Sequence, residues 1–139
     1  MGFFTNLLLK NQINKNNAFV WNANKKKFIR IAKIHSIDLK LLVGIDKQKN
    51  KIFENTNNFA LGNFTNNALL WGSRGNGKST LIKSVFLELS KKYNNLKLVQ
   101  LNKDNITDIE KIYPLLGIFK NMRFIIFIDD LSFEKIDSE

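Results

Sequence analysis

Gly72-Ser73-Arg74-Gly75-Asn76-Gly77-Lys78-Ser79 is the stretch on which the fold turns. It fills G-x-x-x-x-G-K-S at every fixed position. Before it stands a short apolar run, Ala68-Leu69-Leu70-Trp71, which reads as a buried strand stopped by glycine, with Trp71 as core. After it, Leu81, Ile82, Val85, Phe86 and Leu89 recur at steps of three and four, with Lys83, Glu88, Lys91 and Lys92 mostly opposite. That spacing predicts an amphipathic helix from Lys78 to Tyr93. Glycines at 72, 75 and 77 permit positive φ and close approach, so several amides can converge on phosphate oxygens. The helix that follows opens with unpaired amides and a dipole that favours an anion. Lys78 can reach β- and γ-phosphates as a point charge, and the Ser79 hydroxyl is placed for Mg²⁺.

Downstream, Leu96 to Leu101 reads as a second strand. Thr107-Asp108-Ile109-Glu110 has the form of a capping box, opening a helix that Pro114 interrupts or kinks. Phe124-Ile125-Ile126-Phe127-Ile128 is a β-rich run ending in Asp129-Asp130. Residues 68–130 thus alternate strand and helix, which predicts a parallel sheet with right-handed crossovers. A carboxylate at the C-terminal end of such a strand lies on the ligand edge of the sheet. There Asp129 can hold Mg²⁺ opposite Ser79, and Asp130 is placed to orient or deprotonate an attacking water.

Upstream the signals are weaker. Residues 1–27 are rich in Asn and Lys, with Phe3, Phe4, Phe19 and Trp21 scattered among them, and read as a loosely organised arm. Phe28 to Leu42 mixes two periods and suggests one or two short helices; Gly44 ends it. Asp46 to Asn58 suggests another short helix, and the Asn-rich residues 55–67 a loop. The expected organisation is a partly helical arm over 1–37 and a core over 38–139.

The chain has 139 residues, enough for one domain. It has no cysteine and one histidine, His35, which excludes disulfides, thiolate zinc sites, cysteine nucleophiles, imidazole metal clusters and Ser-His-Asp triads. No apolar run spans a membrane, and the N-terminus reads poorly as a signal peptide, so a cytoplasmic protein without membrane contact is the default. The formal net charge is +10, and residues 1–60 carry 11 basic against 3 acidic side chains, net +8. Two readings stay open. One is a polyanionic partner met by Lys25-Lys26-Lys27, Arg30 and Lys33, with Trp21 and Phe28 for stacking; the other is a lysine surface that follows A/T-rich codon usage.

The glycine-rich loop with Lys78-Ser79, followed by an apolar strand ending in two acids, resembles the AAA+ superfamily of P-loop ATPases. Residues 67–79 and Ile128-Asp129-Asp130-Leu131-Ser132-Phe133-Glu134 look like a bacterial AAA-type ATP-binding family catalogued as a domain of unknown function, family 815. Leu42-Val43-Gly44-Ile45-Asp46 and residues 55–62 are similar to it too, so the resemblance covers roughly residues 38–135. It implies a P-loop NTPase three-layer fold, ATP and Mg²⁺ as cofactors, and ATP hydrolysis in a full-length protein that is a homo-oligomer acting on nucleic acid or protein. By that resemblance the loop from Gly72 to Gly77, with Lys78, Ser79 and Thr80, holds the phosphates, and Ile45 beside Gly44 walls the adenine. Asp130 stands where many AAA+ enzymes have glutamate, one methylene longer; Glu134 is the alternative.

In that superfamily a further strand, following the acids in sequence, lies between the phosphate-loop strand and the Asp-bearing strand. The chain stops at Glu139, before that strand, the sensor residues, the arginine finger and the helical lid. An incomplete sheet of about three core strands is therefore expected, and an N-terminal fragment that binds nucleotide without efficient turnover. Two alternatives are a basic nucleic-acid-binding module and a P-loop phosphotransferase acting on a small molecule. Direct adjacency of the strands at 68–71 and 124–128 would favour the phosphotransferase.

Overall fold

The computed structural model describes residues 3–34, 36–42, 44–62, 68–72 and 78–129. They form a mixed α/β fold with a five-stranded, mostly parallel sheet and four helices. In chain order these are α1 (Phe3–Lys15), β1 (Ala18–Asn22), β2 (Lys27–Arg30), α2 (Asp46–Ala60), β3 (Ala68–Gly72), α3 (Lys78–Ser90), β4 (Leu96–Asn102), α4 (Ile109–Leu116) and β5 (Arg123–Asp129). The strand order is β2-β1-β4-β5-β3, and only the β1–β2 pair is antiparallel.

Strand alternation splits the core in two. Ile125 and Phe127 of β5 join Leu96 and Leu98 of β4 under α2 and α3, whose Ile52, Phe59, Leu81, Val85 and Phe86 cover that face. Phe124 and Ile126 join Val99 and Leu101 on the other face, under Ile13 of α1 and Ile112 and Leu116 of α4. Because β5 is covered on both sides, its Phe124–Ile128 reads as a continuous apolar run, as buried parallel strands do; β4, covered likewise, carries Lys97 and Gln100 among its apolar residues. The five residues of the predicted α3 stripe, Leu81, Ile82, Val85, Phe86 and Leu89, are all buried.

Several expectations are corrected. Five strands stand where about three were expected, because residues 18–30 are built into the sheet: β1 pairs with β4, Phe19 opposite Val99. Phe28 to Arg30 is strand, not helix, and only Leu39–Leu41 winds into a 3-10 turn. Trp21 and Phe28 are 4% and 3% exposed and meet edge to face at 5.0 Å, so neither ring can stack on a base. The Trp21 indole N–H donates to Asp108 at 2.9 Å. Helix α2 runs through the Asn-rich segment to Ala60, since Ile52, Thr56, Phe59 and Ala60 share one buried face and packing overrides turn propensity. Gly62, at φ +84, stands where the chain turns away after α2.

The capping box is not formed. Asn102 caps a 3-10 stretch over Lys103–Asp108 by accepting the Asp104 amide at 2.8 Å, so Thr107 lies inside a helical run. Asp108 precedes α4 without a side-chain cap bond. Pro114 stands within α4 and does not end it; the carbonyl it leaves without an amide partner belongs to exposed Glu110.

Lys97 is 2% exposed within β4. Its ammonium donates to the Asn16 carbonyl at 2.9 Å and to Asn17 Oδ1 at 3.2 Å, tying the α1–β1 junction to the sheet. Burial pushes its pKa below the ordinary 10.5. The unfolded chain then binds that proton more tightly than the folded one. The resulting penalty is fully present below the folded pKa and fades as pH climbs toward 10.5, so stability should rise over that interval. Urea midpoints across this alkaline range should climb in the wild type and lack that increment in Lys97→Met; parallel curves would remove this account.

Candidate functional site

The C-terminal edge of the parallel strands gathers the groups that matter. In register, Gly72 of β3 lies opposite Ile128 of β5, and Asn102 of β4 opposite Asp129. Gly72 therefore ends β3 one step short of the level of Asp129. Alternation puts Asp129 on the face of Ile125 and Phe127, which is the face that α3 covers. Helix α3 begins at Lys78, with Ser79 and Thr80 half-buried in its first turn. It returns to β4, so its N-terminus opens at the sheet edge where β3 ends. The helix dipole and its first amides are thus presented on the side that bears Asp129.

Asp129 is 7% exposed, and Gln100 Nε2 donates to its Oδ2 at 3.2 Å. A neutral carboxamide fixes the orientation of a carboxylate without cancelling its charge. Sequence reading missed Gln100. Its signal is a carboxamide two residues before the polar strand end at Asn102, the spacing that puts both on one face of β4.

Among the predicted site residues, Gly72, Lys78, Ser79, Thr80 and Asp129 are brought to one edge. Ser73, Arg74, Gly75, Asn76, Gly77, Asp130 and Glu134 lie outside the described residues, as does His35. Ile45 is half-buried just before α2 and packs on the α2–α3 core; Gly44 before it has φ +81, a conformation suited to glycine. Upstream of Ile45 the chain runs along α3, where the Ile37 amide donates to Ser84 Oγ at 3.1 Å. Trp71 packs on the same face, as expected, and its buried indole N–H finds no partner among the described residues.

The expected gap beside the phosphate-loop strand is not present. β3 and β5 pair directly from Ala68↔Phe124 to Gly72↔Ile128, so their backbones satisfy each other with no strand between. Among the described residues no three carboxylates or histidines gather as a metal cage, and no helix is long and apolar enough to cross a membrane.

The class defined by this fold and edge is a mixed α/β protein whose carboxylate and helix-opening groups meet at the C-terminal ends of parallel strands. The chain belongs to the family described as protein of unknown function (DUF815), whose model matches residues 14–139. No curated protein and no solved structure matches it.

Proposed function

We propose that this chain binds ATP with Mg²⁺ at the C-terminal edge of its sheet, and that the full-length protein hydrolyses the nucleotide as a P-loop ATPase of AAA+ type. The observation that carries this reading is the meeting of β3, the start of α3 and Asp129 on one face of one edge, around a sequence that fits a phosphate-binding loop. In this reading the amides of residues 73–77 surround the phosphates, Lys78 neutralises terminal phosphoryl charge, and Ile45 walls the base. Ser79 and Asp129 offer hard oxygen ligands. One carboxylate and one hydroxyl fit an ion held largely by phosphate oxygens and water, as Mg²⁺ usually is. When bound, Mg²⁺ supplies charge neutralisation across the β- and γ-oxygens. Asp130 orients the attacking water and accepts its proton.

Calorimetric titration with ATP in Mg²⁺ and in EDTA tests the site. Asp129→Asn should raise the Mg²⁺ needed for tight binding about tenfold, while ATP affinity in EDTA stays the same, since the lost group serves the ion and not the phosphates. Gln100→Ala should move the Mg²⁺ requirement in the same direction by several-fold. A wild-type chain that binds no ATP in either buffer overturns the proposal.

A second reading has one observation in its favour. The direct pairing of β3 with β5 matches the side-by-side strands of kinase-type P-loop folds, in which a small molecule replaces water as acceptor. Phosphate release from ATP with no acceptor added supports hydrolysis. ADP formed without phosphate release, and only when a small-molecule acceptor is present, supports transfer.

A further inference from the structure

Four of the eleven basic side chains of residues 1–60 lie on the β1–β2 hairpin, three of them consecutive, and the topology carries those three to a meaningful place. β1 runs parallel to β4 with Val20 opposite Gln100, so its end at Asn22 comes level with the Asn102 end of β4. The turn over residues 23–26 therefore projects from the same sheet edge as Asp129 and the start of α3. Lys25, Lys26 and Lys27 are exposed there, and Arg30 is exposed at the far end of β2, opposite Phe19. No acidic residue occurs before Asp38, and none of these four side chains has an ion-pair partner among the described residues. Lys26 adopts φ +52 and is the only non-glycine residue at positive φ among those described. Glycine or asparagine would sit there at lower cost, so the turn keeps a charge where backbone preference asks for another residue.

We propose that this hairpin docks the phosphodiester backbone of a nucleic acid along the sheet edge it shares with the candidate phosphate site. Trp21 and Phe28 face inward, which removes base stacking and leaves sequence-independent phosphate contacts. The same burial argues against a membrane surface, where a basic element also presents exposed apolar side chains to the acyl layer. The proposal does not depend on nucleotide binding and is tested without it. The competing role for these lysines is to guard an open sheet edge against pairing with other chains.

The test measures anisotropy of a labelled oligo-dT strand and of a mixed-sequence duplex, in EDTA, across a salt series. The full chain is compared with Lys25→Gln/Lys26→Gln/Lys27→Gln and with Lys40→Gln/Lys47→Gln/Lys120→Gln, which removes the same charge from exposed positions elsewhere. Unchanged thermal melting establishes that both variants fold. At moderate salt the hairpin variant should bind at least about tenfold more weakly, with its duplex salt slope shallower by about 2.7, while the control changes less than about twofold. Equal losses in both variants overturn the proposal, as does the absence of binding to either probe. Binding of phosphatidylserine vesicles through these lysines, with no nucleic-acid binding, overturns it too.

Discussion

Lys78→Ala should weaken ATP binding about tenfold to a hundredfold, the range that follows from losing one ion-assisted hydrogen bond to a phosphate. The residue is the first of α3, and truncating its side chain leaves the helix's free backbone amides in place. Residual weak binding through the loop is therefore expected, and the loss should appear in EDTA as well as in Mg²⁺. That pattern separates it from Asp129→Asn, whose effect needs the ion. Lys78→Arg keeps the charge but replaces a compact ammonium with a planar fork, and should recover only part of the affinity. Alanine is a good helix former, so the melting curve should hardly move. Calorimetry showing unchanged affinity in Lys78→Ala would remove the phosphate site, and with it both nucleotide readings.

The largest stability loss is expected from Phe127→Ala. The side chain is fully buried in β5, which has β4 on one side and β3 on the other. It lies opposite Trp71 and Gln100 in register, and the Lys83 ammonium sits 5.7 Å from its ring centre. Removing a buried phenyl ring costs about 3–5 kcal/mol, a large share of the roughly 5–15 kcal/mol that holds such a domain together. Urea unfolding should show a much lower midpoint with a similar slope. Leu70→Ala on β3 is the contrast: its side chain is 44% exposed and should cost far less. Comparable midpoints for the two variants would mean that the core is not centred on β5.

What could be read from the residues, and what could not, follows from how each element is covered. The stretch from Ala68 to Asp129 was legible because its helix α3 has one wet face, giving the clean 3.6 period, and because β5 carries a continuous apolar run and β4 is mostly apolar. β1 gave no period-2 signal because Ala18 packs on one face of the sheet while Phe19 and Trp21 pack on the other. Helix α1 buries few described residues, Ile13 among them, so no stripe marks it. The Asn-rich end of α2 has the composition of a loop, and only Phe59 and Ala60 meeting the core make it helical. On the candidate site, Asp129 was legible from its place at a strand end, while the proposed phosphate loop rests on its motif and lies outside the described residues. Gln100 was not legible, because its role depends on which strand β4 lies beside. The lysine-rich segment was visible as charge, but its position at this edge depends on the parallel pairing of β1 with β4.

That pairing also governs the order in which the molecule can assemble. The contact between Asn16 and Lys97 joins residues 81 apart. A two-stranded hairpin alone is marginal in water, so residues 18–30 have no stable partner until β4 has been synthesised. At about 5–20 residues per second, the ribosome leaves the hairpin waiting for several seconds with Phe19, Trp21 and Phe28 uncovered. Closure across so long a separation is a slow kind of step. The first strands made thus wait through the longest stretch of synthesis for a partner, and a nascent chain halted before β4 is the form most exposed to chaperones and to clumping.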